Sequence, residues 1–450
     1  MLKVEIHLTT SVPLSEPGVN QVTAVSQQIL EQLGPELVRR CLEKAQDYIL
    51  DHALGPKWSN GGQDAAPWTC PECGATSGFN RRGSYLRVLR KTSVGRVEFE
   101  LRQVTCRHCG HTFSPFRDAL GLEPYQASTT EFQAKAVEVA CQTSYARAAQ
   151  HVDHLGGVPV SATAIHQWVQ DLGPKVVFDA THGDGKPVIL DSTRVPAGEN
   201  ERGAWLNLGL SILERDRAHG RPRLVGYPVC FGVAESWTET GCCLKQGSPA
   251  RLVFDGDENL VRWAEEALPS TPKQRGIWHL VTQLYWPLWR DGLRKQKSDP
   301  WLSRLGQLLY HPEDSLEETK GKLKSLIHDL SEQGLTEAAT YLAAAAPYVF
   351  TYREDPDGVF VDRASQKTSA IRSTSPVERQ MREINRRADV GARWGVSGVK
   401  NILALDLVRR FDPDQWQTLW QLPKEAVPKC SVVKLQVSVT VEAQPNVKTS

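Results

Sequence analysis

The chain has 450 residues, 40% of them hydrophobic and 23% charged, the balance of a globular protein with two or three domains. That composition excludes wholesale disorder and a collagen-like repeat, and no apolar run approaches the roughly 18–20 residues needed to span a bilayer, so no membrane partner is expected. Fifty-three Lys and Arg against fifty-two Asp and Glu leave a net charge of +1, so attraction to a polyanion has to come from local clusters. The opening MLKVEIHLTTSVPLSEPG lacks a basic segment followed by an apolar one, which argues for a cytoplasmic chain rather than a secreted one.

In chain order, residues 1–67 form a first, helical segment. Ile29, Leu33, Leu37 and Cys41 recur every four residues, and Gly34-Pro35 is expected to break the run into two helices. The loop GPKWSNGGQDAAP follows. Residues 68–120 carry two CxxCG knuckles, Cys70/Cys73 and Cys106/Cys109, around alternating runs such as RVEFELRQV that predict strands. Gly74 and Gly110 relieve the backbone in each tight turn, and four thiolates satisfy one tetrahedral Zn²⁺. This is a zinc-ribbon pattern with a structural metal. His108 and His111 stand outside a ligand set that four cysteines already fill. The scattered Cys41, Cys141, Cys230, Cys242, Cys243 and Cys430 are expected to be small buried hydrophobes. From Arg81 to Arg117 there are nine Arg or Lys against two Glu, so Arg81, Arg82, Arg87, Arg90 and Lys91 are candidate phosphate contacts.

Residues 121–175 predict three helices. STTEFQAKAVEVACQ starts from Ser128 or Thr129, SYARAAQHVDHLGG from Ser144, and SATAIHQWVQDLG from Ser161. Short helices with a Gly-containing turn make a helix-turn-helix arrangement. Its third helix has no Lys or Arg, and Ser161, Thr163, His166 and Gln167 are its candidates for base edges.

From 176 to 285, apolar runs such as KPVILDSTRV, AWLNLGLSILERD, LVGYPVCFGVAE and RLVFDGDENL first meander and then alternate with helix, as in a mixed α/β sheet. Residues 286–365 are expected to be helical, 366–415 to hold two helices, and 416–450 to be a tail with a candidate strand, SVVKLQVSVTVEA. Asp191 and Asp255 each end an apolar strand, where α/β sheets gather their functional groups. Two such carboxylates repel unless a cation lies between them, and Mg²⁺ or Mn²⁺ takes hard oxygen ligands of this kind. A third carboxylate from a helix completes a two-metal site, and Glu378, behind Pro376 at a helix start, is the best candidate. Asp257 is the rival to Asp255, but Gly256 lets the chain turn directly after the first acid. Arg379, Arg382 and Arg386 share one helical face and are candidate phosphate contacts.

The stretches VILDSTRV, LVFDGDENLVRWAEEALP, GIWHL and SPVERQMREINRRADVGARWGVSGVKNILAL resemble, in order, the catalytic blocks of DDE transposases of bacterial insertion sequences, in the mutator-like group. The resemblance spans roughly residues 68–411 and includes the zinc ribbon and the SYARAAQHV…SATAIHQWV segment. It implies a multidomain α+β protein: zinc ribbon, helix-turn-helix, and an RNase H-like core interrupted by an all-helical insertion. By position Asp191, Asp255 and Glu378 match the three catalytic acids, and His279 the histidine after the second. Gly276 stands where the family often has a cysteine, so His279 is left to position water, contact phosphate or fill the core. The expected activity is metal-dependent cleavage and strand transfer at element ends. Its partners would be double-stranded terminal repeats, target DNA and a second copy of the chain in a dimer or larger synapse. The alternative is a non-catalytic, zinc-dependent DNA-binding regulator derived from such an enzyme.

Overall fold

The computed structural model describes residues 19–55, 66–218, 221–310, 314–354, 359–362, 367–391 and 393–421. The candidate strand at 431–443 and Cys430 lie outside them. Helix α1 (Val19–Leu54) runs through Pro35 without the expected break. Its tertiary contacts outweigh the hydrogen bond that proline removes. Gly34 lies against the turn at residues 93–94, where an added Cβ would sit 3.0 Å from Val94 Cβ. Beyond the proline, Glu36 pairs with both Arg39 and Arg40. Further along, Gln46 donates to Glu100 O and accepts from Arg102 N, sewing the helix to a sheet edge.

That edge belongs to β2 (Gly95–Cys106), which pairs antiparallel with β1 (Phe79–Thr92) and with the short β3 (Thr112–Phe113). Phe79, Val97, Phe99 and Leu101 bury with Leu50 and Leu54 of α1 in a core of their own. A single turn, α2 (Phe116–Ala119), leads to α3 (Thr130–Ala140), α4 (Tyr145–Gly156) and α5 (Ala162–Leu172). Thr129, Ser144 and Ser161 cap these helices through their side-chain oxygens. Gly157 closes α4 in the left-handed conformation at φ +62°.

The main sheet has seven strands. β4 (Pro187–Val195), β5 (Ala204–Ala218) and β6 (Arg221–Val233) form an antiparallel meander. After α6 (Trp237–Thr240), β7 (Arg251–Phe254) returns parallel to β4 on its other side. Helix α7 (Glu258–Ala267) then crosses to β8 (Lys273–Arg275), parallel to β7. The central order is therefore β6-β5-β4-β7-β8. Next come α8 (Ile277–Gln283), α9 (Tyr285–Arg290), α10 (Lys295–Tyr310), α11 (Leu316–Glu332), α12 (Thr336–Ala345) and the one-turn α13 (Thr351–Glu354). They pack around Ile277, Leu280, Leu305, Leu326 and Leu342. This helical core opens at Ile277 rather than at 286, because the apolar side of α8 is already inside it.

At its far end the chain forms two strands where only helix was expected. β9 (Val359–Asp362) and β10 (Lys367–Ala370) are a hairpin, and β9 extends the sheet beside the outer end of β5. Four-residue strands carry too little periodicity to be seen in sequence, and it is the β5 edge that recruits them. Helices α14 (Ser375–Ala388), α15 (Val396–Phe411) and α16 (Pro413–Leu419) complete the fold. One apolar core joins α14 and α15 to one face of the sheet and to α3, α4 and α5, so packing does not divide the chain at 175. No helix of the described residues is long and apolar enough to cross a membrane.

At the centre of that junction α5 ends against α15. A Cβ on Gly173 would fall 2.3 Å from Asn401 Cβ and 2.7 Å from Asn401 Cα. Gly173→Ala is therefore expected to lower stability by about 1–3 kcal/mol through overpacking. Gly156→Ala, with nothing within 4 Å, stays within about 0.5 kcal/mol. Denaturant midpoints of the two variants check the contrast.

Candidate active site

The parallel register of β4 and β7 pairs Leu190 with Phe254, and the residues that follow are Asp191 and Asp255. Asp255 comes directly after β7, but Asp191 does not end its strand as expected: β4 runs on to Val195 because its pairing with β5 continues. Side chains alternate along a strand. Val188, Leu190, Leu252 and Phe254 bury on the α7 side. Ile189 and Val253 bury on the other, together with Val377, Met381 and Ile384 of α14. Asp191 shares the alternation of Ile189, which turns it toward the helix that carries Glu378, and Asp255 follows β7 closely enough for its charge to act on Asp191. Asn385, later on α14, donates to Thr193 Oγ1 at 3.0 Å and holds the helix across β4.

Asp191 is 8% exposed. Burial, then the negative charges of Asp255 and Glu378, push its carboxyl up to about 7, against a stabilising hydrogen bond from Ser192 N. Among the described residues no Lys or Arg pairs with any of the three acids. Their oxygens do not close into a single-ion cage: the one group of three or more Cys, His, Asp or Glu ligand atoms mutually within 4.8 Å, among the described residues, is the four-cysteine cluster. The carboxylates form a wider, unneutralised acidic cluster. Hard oxygen donors without a paired cation suit Mg²⁺ or Mn²⁺.

Glu378 is held from two sides. Thr374 Oγ1 donates to its Oε1 at 3.1 Å, and His279 Nε2 lies 2.9 Å from the same oxygen. Gln283 Nε2 stands 3.3 Å from His279 Nδ1. An amide donor at Nδ1 leaves Nε2 carrying the proton that points at Glu378. Behind Gln283 comes Arg275, whose Nη2 donates to Gln283 Oε1 and to the Tyr341 hydroxyl. Arg275 occupies the space beside Gly256, where a Cβ would fall 0.8 Å from Nη1, and Gly256 has φ +88°. Only glycine fits there. Arg275 and Gln283 were not legible in the sequence, because nothing in their spacing relates them to the acids. Asp257 caps α7 by accepting from Asn259 N and Leu260 N, and its own N–H donates to Asp255 Oδ1.

The candidate nucleic-acid contacts divide. Ser161, Thr163, His166 and Gln167 are all exposed on α5. Arg379 and Arg382 are exposed and form no ion pair among the described residues, whereas Arg386 pairs with Glu383. On the ribbon, Arg82 and Arg90 are exposed. Arg81 instead binds Asp51 and Gly55 O, Arg87 binds the carbonyls of Glu123 and Gln126, and Lys91 is half-buried where its backbone bridges to Ala127 and Thr129. Arg81 and Arg87 thus hold the ribbon to its neighbours, a role their basic charge alone does not reveal.

In the ribbon itself, Cys70 Sγ lies 3.6 Å from Cys109 Sγ and Cys73 Sγ 3.7 Å from Cys106 Sγ. Four sulfurs about 2.3 Å from a tetrahedral zinc would stand about 3.8 Å apart, so the cage has the size for that ion. The knuckles match: Gly74 N donates to Cys70 O and Gly110 N to Cys106 O, with φ +73° and +75°. Burial raises the Cys106 thiol, but the amides of Cys109 and His108 together with the sulfurs of Cys73 and Cys109 bring the group down to about 7. His108 and His111 are not in the cage; His111 stacks on Phe113. The nine described cysteines form no disulfide.

No protein-family model and no curated protein matches this chain.

Two outcomes follow from these charges. A carboxyl raised from 3.8 to about 7 on folding contributes stability that is fully present only below about pH 4. Stability falls as the pH rises between those values, because the unfolded chain ionises first. In metal-free buffer Asp191→Asn is expected to stabilise the protein at pH 8 by on the order of 2–4 kcal/mol and to change little near pH 4; urea unfolding at both pH values tests it. Removing zinc with a chelator should erase amide protection in β1 and β2 while β4, β5 and β7 keep theirs, since the ribbon has a separate core. Hydrogen exchange reads both regions at once, and unchanged protection in the ribbon counts against a metal there.

Proposed function

We propose that this chain is a DNA transposase of the DDE type, cutting phosphodiesters at the ends of an insertion sequence and joining the freed 3′ ends to target DNA. The observation that carries the reading is the convergence of Asp191, Asp255 and Glu378 from two parallel strands and a helix laid across them. The central strand order, with three antiparallel strands flanked by two parallel ones, supports an RNase H-like core. The helical unit between β8 and α14 lies where that family carries an insertion.

Asp191, Asp255 and Glu378 would hold the divalent ions, which when bound supply an acidified water and neutralise charge on the scissile phosphate. The chain's own groups prepare the rest. Thr374 and His279 fix one oxygen of Glu378 and leave its other oxygen available. His279, donating through Nε2, keeps that carboxylate oriented. Arg379 and Arg382 continue along α14 from Glu378, in reach of a polyanion following the helix. The exposed polar face of α5 and the exposed Arg82 and Arg90 beside the four-cysteine cage would supply recognition surfaces.

The test uses DNA carrying the repeats that flank the coding region, incubated with the full-length chain and Mg²⁺. Nicked and joined products are expected. Asp191→Asn and Glu378→Gln should each lower the rate at least about 10³-fold, and His279→Ala about 10–100-fold by loosening Glu378. Nicks without joined products would point to a nuclease on the same core. Tight binding with no cleavage by the unaltered protein would defeat the enzyme reading in favour of a regulator.

A further inference from the structure

The helix pair that carries His279 leaves an aromatic face in solvent. Trp278, Trp286 and Trp289 are 46%, 61% and 52% exposed. The opposite side of α8 and α9, with Ile277, Leu280, Leu284 and Leu288, is buried in the helical core, so these indoles are not needed to pack the helices. At 3.6 residues per turn Trp278, Thr282, Trp286 and Trp289 fall within roughly 80° of arc, a single stripe. Trp286 meets Tyr285 and Trp289 edge-on, with centroids 5.3 and 6.5 Å away. At the other end Trp278 meets His279 edge-on at 4.9 Å, and His279 holds Glu378. The stripe therefore starts beside the candidate active site and runs away from it.

Where the stripe ends, the surface turns basic. Arg294, Lys295 and Lys297 are exposed and form no ion pair among the described residues. An apolar protein partner would be disfavoured next to three unpaired cations, whereas a polyanion with flat apolar rings satisfies both halves of the surface. Paired bases in a duplex are stacked on one another and offer only their edges. Unpaired bases have free faces, and indoles accept any of them. We propose that Trp278, Trp286 and Trp289 form a stacking platform for unpaired nucleotides of a DNA strand leaving the acidic cluster, with Arg294, Lys295 and Lys297 following its phosphates.

This inference rests on the DNA-processing reading above, but its test does not require cleavage. Full-length, zinc-loaded Asp191→Asn protein is titrated with a fluorescent 20-mer of dT and with a duplex of the same length, reading anisotropy and tryptophan quenching. Adding Trp286→Ala with Trp289→Ala is expected to weaken binding of the single strand about 10-fold or more while duplex affinity stays within about twofold. The matching pair of Phe substitutions should recover most of the loss, because a π face remains. Equal loss on both DNAs, no loss on either, no recovery by Phe, or no single-strand binding by the parent would each overturn the platform. Cleavage that fails while selective single-strand binding persists defeats the enzyme and leaves the platform standing. Cleavage that proceeds in a protein whose Ala variants bind normally defeats the platform alone.

Discussion

The parallel pairing of β4 with β7 is the constraint from which the rest of the site follows. It sets two carboxylates near each other on neighbouring central strands, and around the buried Asp191 water is scarce and like charges are poorly screened. Among the described residues no Lys or Arg is paired with them, and α14 brings a third acid toward the same place, so Asp191 holds its proton up to about pH 7. The apolar contacts of Ile189, Val253, Val377 and Ile384 hold this arrangement together despite the repulsion. Acids that find no paired Lys or Arg among the described residues have the electrostatics of a cation site, and that is the physical basis of the proposed phosphate chemistry.

The surrounding structure keeps the acids in register. Gly256 admits the Arg275 guanidinium, Arg275 fixes Gln283, Gln283 fixes His279, and His279 fixes Glu378. This chain links β8 and the helical unit to the carboxylates, so the helices of residues 277–354 are a buttress of the site as well as an appendage of the sheet. On the other flank, Arg387 of α14 donates to Ala140 O and lies over the rings of Trp394 and Tyr145, tying the same helix to α3 and α4. The exposed face of α5 is thereby held at a defined place relative to Glu378, because both belong to one continuous core.

Parts of this were legible in the residue order for local reasons. The CxxCG pairs encode their own turns, and the cage they form needs only the hairpin between them. Thr129, Ser144 and Ser161 cap helices through bonds that span three residues. The DGD run indicated a sharp turn after Asp255, and Asp257 takes the cap position that a residue before a helix usually holds. Other features depended on partners far away in sequence. Pro35 continues a helix because residues 94–95 and Glu36 support it. Arg81 and Arg87 looked like free basic charge until Asp51 and the carbonyls near residue 125 were placed beside them. Arg275 and Gln283 gained their meaning only through a glycine and a histidine on other elements.

Periodicity, caps and cysteine spacing were enough to predict the four-cysteine cage, the three capped helices and the apolar strand that leads to Asp255, because each depends on neighbours within a few residues. The proximity of Asp191, Asp255 and Glu378, the network behind His279, the β9–β10 hairpin and the single core joining α5 to the sheet were decided by tertiary structure. Strand register and helix packing bring together residues more than a hundred positions apart, and no local pattern records which of them will meet.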